Sequence, residues 1–361
     1  MALTYTETEV VSETERYIVN PDIPVWALLP AYIFLKQGIT GVAYPSYFDQ
    51  LAFIGSSGLA IISHPAFHLA FPGLSPFKKF QPSSDIDLLI GSRYQTNTDT
   101  YLALNPFGFL HRFPSPQTSV ANPDRWVAQT TLPHHPSVIS VSICDLSTLG
   151  LETCEQWALH QPISYLPFLT IDREPYTERC EHRGRESLPR ARVQLVWAAG
   201  GISDLKYRTI RIPDPDTFLN TQPPLDTLTR LLIFAKYAAC MPEGTIASTS
   251  LAAARAIVAE LTPNFSPENL AHLAKRTLDM VNGLIKALPN SPHAIGNFIT
   301  TLSLLNIPHQ PEIITAHAKQ IQPQIEPVQQ LLAADNLQLF ADNPDPTRYI
   351  DPDYPVQYLI R

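Results

Sequence analysis

The sequence predicts an α+β fold in which a mixed half is followed by an all-helical half. Three observations carry this. Short apolar runs bounded by turn residues, such as "QLAFIG", "DIDLLIG" and "SVISVSICD", fall in the first part of the chain. From residue 225 onward, "PLDTLTRLLIFAKYAAC", "STSLAAARAIVAEL" and "SPENLAHLAKRTLDMVNGLIKAL" repeat apolar residues at helical spacing. The change of character falls near residues 213 to 224, in a proline-rich stretch. The expected organisation is a flexible leader over 1–20, an α+β domain over 21–220, a helical domain over 221–341 and an extended tail over 342–361.

Taken in order, the leader "MALTYTETEVVSETER" is polar and acidic, and it is neither a secretory signal nor a transit peptide. "PDIPVWALLPAYIFLKQGI" reads as a helix pair interrupted at Pro30. "QLAFIGSSGLAIISH" reads as a buried strand over 51–54, a Gly-Ser turn and a helix from near Ser57. The proline-punctuated "HPAFHLAFPGLSPFKKFQPSS" connects it to the strand "DIDLLIG". Residues 96–126 read as a peripheral excursion of turns and short strands, and "SVISVSICDL" as a strand ending at Asp145. "TLGLETCEQWALHQ" has helical character, and the densely charged "YTERCEHRGRESLPRAR" reads as a solvated loop. "VQLVWAAG" and "KYRTIRIPD" are the last strands. In the helical half, Ser266, Pro267 and Glu268 form a helix start, and Ser291-Pro292 repeats it without the acid.

Composition narrows the function classes. Of 361 residues, 45% are hydrophobic, enough for a substantial core, while only 16% are charged. The net charge of −8 argues against broad nucleic-acid binding and leaves room for a local basic patch. Four scattered cysteines without CxxC spacing point to a reduced, cytoplasmic chain without a zinc knuckle. Residues 51–77 carry no charge, but Pro65, Pro72, Pro76 and Gly55 interrupt them, so no membrane span is expected. Neither His134-His135 nor Cys180-Glu181-His182 supplies a tetrahedral ligand set.

The chemistry concentrates at "FIGSSGLAI" and "SDIDLLI". In a strand, Asp85 and Asp87 share a face, and two carboxylates so close repel unless a cation neutralises them. Mg²⁺ suits such a pair, since it takes carboxylates and completes its shell with water or phosphate. Asp145, at the end of a later strand, is the candidate third acid. Upstream, Gly55 lets the backbone approach a phosphate, and Ser56 and Ser57 open a helix whose free amides bind anions. A plain polar turn at "PSSD" is the bland alternative.

Strand, "GS", helix, "SDIDLLI" and a later acid resemble the nucleotidyltransferase superfamily of the DNA polymerase β type. The "FIGSSGLAI" form, backed by a helical half, is most similar to the branch of abortive-infection toxins and small-substrate transferases. The resemblance implies a mixed-sheet nucleotidyltransferase-like domain, with Gly55, Ser56 and Ser57 on the triphosphate. It further implies two Mg²⁺ held by Asp85, Asp87 and Asp145, and Lys236 or Arg230 as a basic group for the phosphates. The turn and the DxD lie further apart than the family's pattern. The implied activity is transfer of an NMP from an NTP to a hydroxyl-type acceptor, which a small molecule, an RNA or a protein could supply. The alternative is a catalytically degenerate member acting as a binding or assembly module, whose long proline-rich loops would meet a protein partner.

Overall fold

The computed structural model describes residues 9–11, 14–18, 48–63, 85–92, 117–119, 122–131, 138–173, 191–219, 224–241, 243–288 and 291–324. The expected helix pair near Pro30, the proline-rich connection before Asp85, the charged loop around Cys180 and the tail lie outside them. The fold is α+β, with a mixed sheet followed by a helical part.

Nine strands form the main sheet: β1 (Glu9–Val11), β2 (Thr14–Ile18), β3 (Phe48–Ile54), β4 (Asp85–Ser92), β5 (Gln117–Ser119), β6 (Asn122–Thr131), β7 (Val138–Asp145), β8 (Phe168–Arg173) and β9 (Ala191–Ala198). Their order is β1-β2-β9-β8-β3-β4-β7-β6-β5. β4 and β7 run parallel, and the other neighbours are antiparallel. A two-residue parallel pair, β10 (Thr209–Ile210) with β11 (Thr245–Ile246), stands apart.

Two sequence expectations change. The leader is not a loose segment throughout: β1 and β2 extend the sheet, with β2 pairing along β9 from Thr14↔Ala198 to Ile18↔Gln194. Its charged residues suit a strand near a sheet edge, where polarity is the rule. The second change concerns "KYRTIRIPD". Its first residues close helix α2 (Gly201–Tyr207), and only Thr209–Ile210 are extended. Arg208 turns the chain in a left-handed conformation (φ 56°) and its N–H caps α2.

Helix α1 (Ser56–Ser63) follows β3 directly. Residues Leu146–Leu149 and Cys154–His160, expected to be helical, form two 3₁₀ segments; Pro162 and a short apolar run give them no room for a longer helix. The helical part comprises α3 (Pro215–Leu219), α4 (Pro224–Cys240), α5 (Ser248–Leu261), α6 (Pro267–Ala287), α7 (Pro292–Leu304) and α8 (residues 311–324). α6 starts where its residues dictate: the Ser266 side chain accepts the Asn269 N–H at 3.2 Å, and Pro267 occupies the first turn. That serine also holds the Glu268 carboxyl below its usual range.

Strand alternation splits the sheet's side chains between two apolar clusters. Phe53, Leu169, Leu195 and Trp197 join one large core with α1, α4 and the later helices. Ala52, Ile54, Leu89, Cys144, Phe168, Val196 and Ala198 face the other way, under the two 3₁₀ segments. The large core runs across the junction expected at residue 221 without interruption. Buried Tyr165 fastens the join, its hydroxyl donating to the Tyr237 carbonyl at 2.7 Å while its own carbonyl accepts the Trp197 Nε1–H at 3.2 Å. Burial raises that phenol's pKa well above its ordinary value. No helix among the described residues is long and apolar enough to cross a membrane.

Candidate functional site

β3 and β4 lie side by side at the middle of the sheet, and their register decides the site. Ile54, the last residue of β3, pairs with Asp87. The chain then turns at Gly55 in a left-handed conformation (φ 67°), a region that favours glycine, and enters α1 at Ser56. A Cβ placed on Gly55 would stand 2.5 Å from Asp87 Oδ2. So the Gly-Ser turn and the second aspartate meet, and glycine is required twice over at this position: once for φ, once for space.

Asp85 is the first residue of β4, two positions before Asp87, and therefore in the same phase of the pleat. Directly paired residues share a face, so Asp87 belongs with Ile54, while Ala52 pairs with Leu89 on the same side. This is the sheet face beneath the 3₁₀ segments. Ser56 is buried at the start of α1, and its neighbour Ser57 stands one residue on in the same first turn. α1 is bound close to its surroundings: Gly58 has no room for a Cβ against the Pro167 carbonyl and Leu166. That fixes where the amides of its first turn stand.

Asp145 takes a different position from the one expected. β7 is adjacent to β4, but the parallel register pairs Asp85 with Ser140 and Asp87 with Ser142; Asp145 pairs with Ile90. Asp145 is thus three residues, about 10 Å, further along the strand direction than Asp87. Three is an odd number of steps, so it also falls in the opposite phase of the pleat. The β7 positions beside the two aspartates are serines. Among the described residues, no three His, Cys, Asp or Glu side chains gather as metal ligands.

Lys236 and Arg230 both lie on α4. The Lys236 ammonium sits 5.6 Å from the Tyr237 ring centroid and against Gly283 of α6, where a Cβ would be 3.0 Å away. Arg230 lies over the Phe218 ring (5.6 Å) and its Nη1 donates to the Phe218 carbonyl at 3.1 Å. Burial lowers the guanidinium's pKa, with Asp226 opposing. Near it stands His160, stacked on Trp157 at 5.8 Å and held below the usual imidazole value by burial and then by the Arg230 charge. On α6, His272 and Arg276 reach the Asp226 carboxylate electrostatically. Sequence reading passed over His160, His272 and Arg276; the i, i+4 spacing of the last two was the available signal.

No protein-family model and no curated protein matches the chain. Among solved structures, a CCA-adding enzyme in complex with ATP is similar, with a TM-score of 0.43 and 13% identity over 77% of this chain and 50% of that one. A CCA-adding enzyme complex with CTP gives a TM-score of 0.40 and 13% identity over 77% and 51%. This chain spans about half the length of those chains.

Proposed function

We propose that the protein is a Mg²⁺-dependent nucleotidyltransferase that binds an NTP between the Gly55 turn and the start of β4, and transfers its NMP to a hydroxyl-type acceptor. The observation that carries this reading is the contact between Gly55 and Asp87: a phosphate-accepting turn and a carboxylate strand meet at one end of two central strands. Gly55 admits the phosphates to the backbone, the first-turn amides of α1 at Ser56 and Ser57 receive their charge, and Asp85 and Asp87 hold the cation. Two hard oxygen donors in one phase of a strand fit Mg²⁺, whose remaining ligands are water and the phosphates themselves. Bound there, Mg²⁺ would neutralise phosphate charge during transfer. The "FIGSSGLAI" form with a helical half behind it supports the abortive-infection and small-substrate branch. A small molecule, an RNA or a protein remains open as acceptor.

The register of Asp145 favours a second reading, a degenerate nucleotidyltransferase fold that binds a nucleotide without turning it over. Two experiments separate the cases. Mg²⁺ and an NTP together should raise Tm by mass action, and Asp87→Asn should abolish that joint shift while the fold survives. Incubation with each α-labelled NTP then reads transfer directly. A joint shift with no labelled product selects the binding module. No shift with any NTP sinks both nucleotide-binding readings and leaves the assembly module that meets a protein partner.

A further inference from the structure

We infer that Trp157 and His160 form a stacking ledge for the nucleobase of the bound NTP, on the sheet face to which Asp87 belongs. This rests on the proposed nucleotidyltransferase reading and adds what that reading leaves open, the place of the base. Positions three apart eclipse one another in a 3₁₀ segment, so Cys154, Trp157 and His160 form one row along Cys154–His160. The row runs from a buried thiol to two half-buried rings. Those rings stack, with 5.8 Å between centroids and 15° between planes.

The fold both places this ledge and holds it still. Its segment touches β3 and β4, and Trp157 packs on the apolar cluster that contains Ile54 and Leu89. Ile54 pairs with Asp87, and Leu89 follows Asp87 by two residues, so ledge and carboxylate stand on one face. Asp87 is half-buried there, like the two rings, so none of the three is sealed from solvent. Gln156 pins the start of the segment, its Oε1 accepting the N–H of Glu152 at 2.6 Å and that of Thr153 at 3.1 Å. Cys154 and Ala158 are buried beneath it. A structural tryptophan usually satisfies its N–H inside the protein, as Trp197 does on the Tyr165 carbonyl. Neither Trp157 nor His160 makes a hydrogen bond to a described residue. Burial, and then the Arg230 charge, keep the imidazole below its usual value, so at neutral pH His160 presents an uncharged ring. A rigid, flat, two-ring surface suits a heterocyclic base, because stacking needs only a π face. A purine covers more of it than a pyrimidine does.

Calorimetric titration of the full chain in Mg²⁺ buffer, with ATP and with tripolyphosphate, separates the base from the phosphates. Trp157→Leu should weaken ATP about tenfold, within the worth of one stacked base, and leave tripolyphosphate unchanged. Trp157→Phe keeps a ring and should recover most of the loss. Wild type should bind ATP more tightly than CTP, and Trp157→Leu should narrow that gap. If circular dichroism shows that Trp157→Leu does not fold, His160→Gln takes its place, with ATP weakened about threefold. A second readout is free of phosphates. Adenosine should quench wild-type tryptophan fluorescence, and the quench should be lost in Trp157→Leu although Trp26, Trp126 and Trp197 remain. Asp87→Asn, which removes Mg²⁺-dependent NTP binding under the proposed function, should leave the adenosine quench intact. If neither ATP nor tripolyphosphate binds wild type, the proposed function fails, and the adenosine quench alone decides the ledge: its absence overturns the inference. Where ATP binds, equal affinity in wild type and Trp157→Leu, or an equal loss of ATP and tripolyphosphate in a folded variant, overturns it.

Discussion

Asp87 Oδ2 occupies the space a side chain on Gly55 would need, 2.5 Å from the position of its Cβ. Gly150 offers an internal comparison, with the same φ of 67° but nothing within 4 Å of its would-be Cβ. Gly150→Ala should therefore cost only the left-handed backbone penalty, about 1–2 kcal/mol. Gly55→Ala adds overpacking against Asp87, so its expected cost is about 2–4 kcal/mol. Urea unfolding measures both. In an Asp87→Ala background the excess at Gly55 should disappear, a coupling that a double-mutant cycle reads directly. Equal costs for the two glycines would mean that the carboxylate does not press on the turn.

Asp204 is the second structural hinge of the chain's stability. Its Oδ2 accepts from Ser164 Oγ at 2.5 Å and from Arg211 Nε at 2.8 Å, with Arg211 Nη2 at 2.7 Å. Arg211 also donates to the Ala199 carbonyl at 2.6 Å, so one carboxylate ties α2 to the loop before β8 and to the chain after β10. Both side chains are mostly shielded, at 14% and 27% exposure, which places the pair nearer a buried ion pair than a surface one. Asp204→Ala should destabilise by about 2–3 kcal/mol, because it strands the guanidinium. Ser164→Ala should cost about 1 kcal/mol, the worth of one hydrogen bond. A cost for Asp204→Ala below that of Ser164→Ala would show that the carboxylate contributes only its charge.

His160 makes stability depend on pH. Burial, and then the Arg230 charge, depress its pKa in the folded state, with Asp214 opposing. Below the ordinary imidazole value of about 6.5, the unfolded chain takes up a proton that the folded chain resists. Stability from this group is thus complete above that value and is lost as pH falls below it. Asp214, held low chiefly by the Thr217 hydroxyl, adds a loss of the same sign further into acid. Asp226, raised by burial, works in the opposite direction there. Unfolding free energy measured at pH 7 and at pH 5.5 should drop more in wild type than in His160→Gln. An equal drop would remove His160 as the cause.

Much of the fold was legible because local and global signals agreed. The β3 run, the Gly55 turn and the first turn of α1 are each specified within nine residues, so their order followed from the letters. Asp85 and Asp87 were visible for the same reason, through the two-residue period of a strand. Asp145 was not, because its relation to Asp87 depends on how β7 slides along β4, and one residue of slip reverses every face. β2 was missed because "TERYI" has no apolar alternation; its place comes from pairing with β9, far away in sequence. The electrostatic reach of Arg276 to Asp226 depends likewise on helix packing, which spacing within one helix does not encode.

The serines of β7 lead to the last prediction. Ser142 pairs with Asp87 in the parallel register, at the end of the sheet where the Gly55 turn lies. An acid at Ser142 would stand beside Asp87 in the same phase of the pleat, about one strand spacing of ~4.8 Å away. Ser142→Asp therefore places the third carboxylate where Asp145 does not. Without metal, like charges so close repel and raise one another's pKa, so the variant should lose about 1 kcal/mol and gain stability as pH falls toward the carboxylate range. With Mg²⁺ in the millimolar range the loss should reverse, and the metal-dependent rise in Tm should exceed that of wild type. Asp87→Asn in the same background should cancel both effects, since it removes the repulsion and the metal site together. Thermal melts of the three proteins, each with and without Mg²⁺ at neutral pH and again near pH 5, read every one of these outcomes. A Ser142→Asp variant whose Tm is indifferent to Mg²⁺ would show that this end of the sheet does not gather carboxylates around a cation.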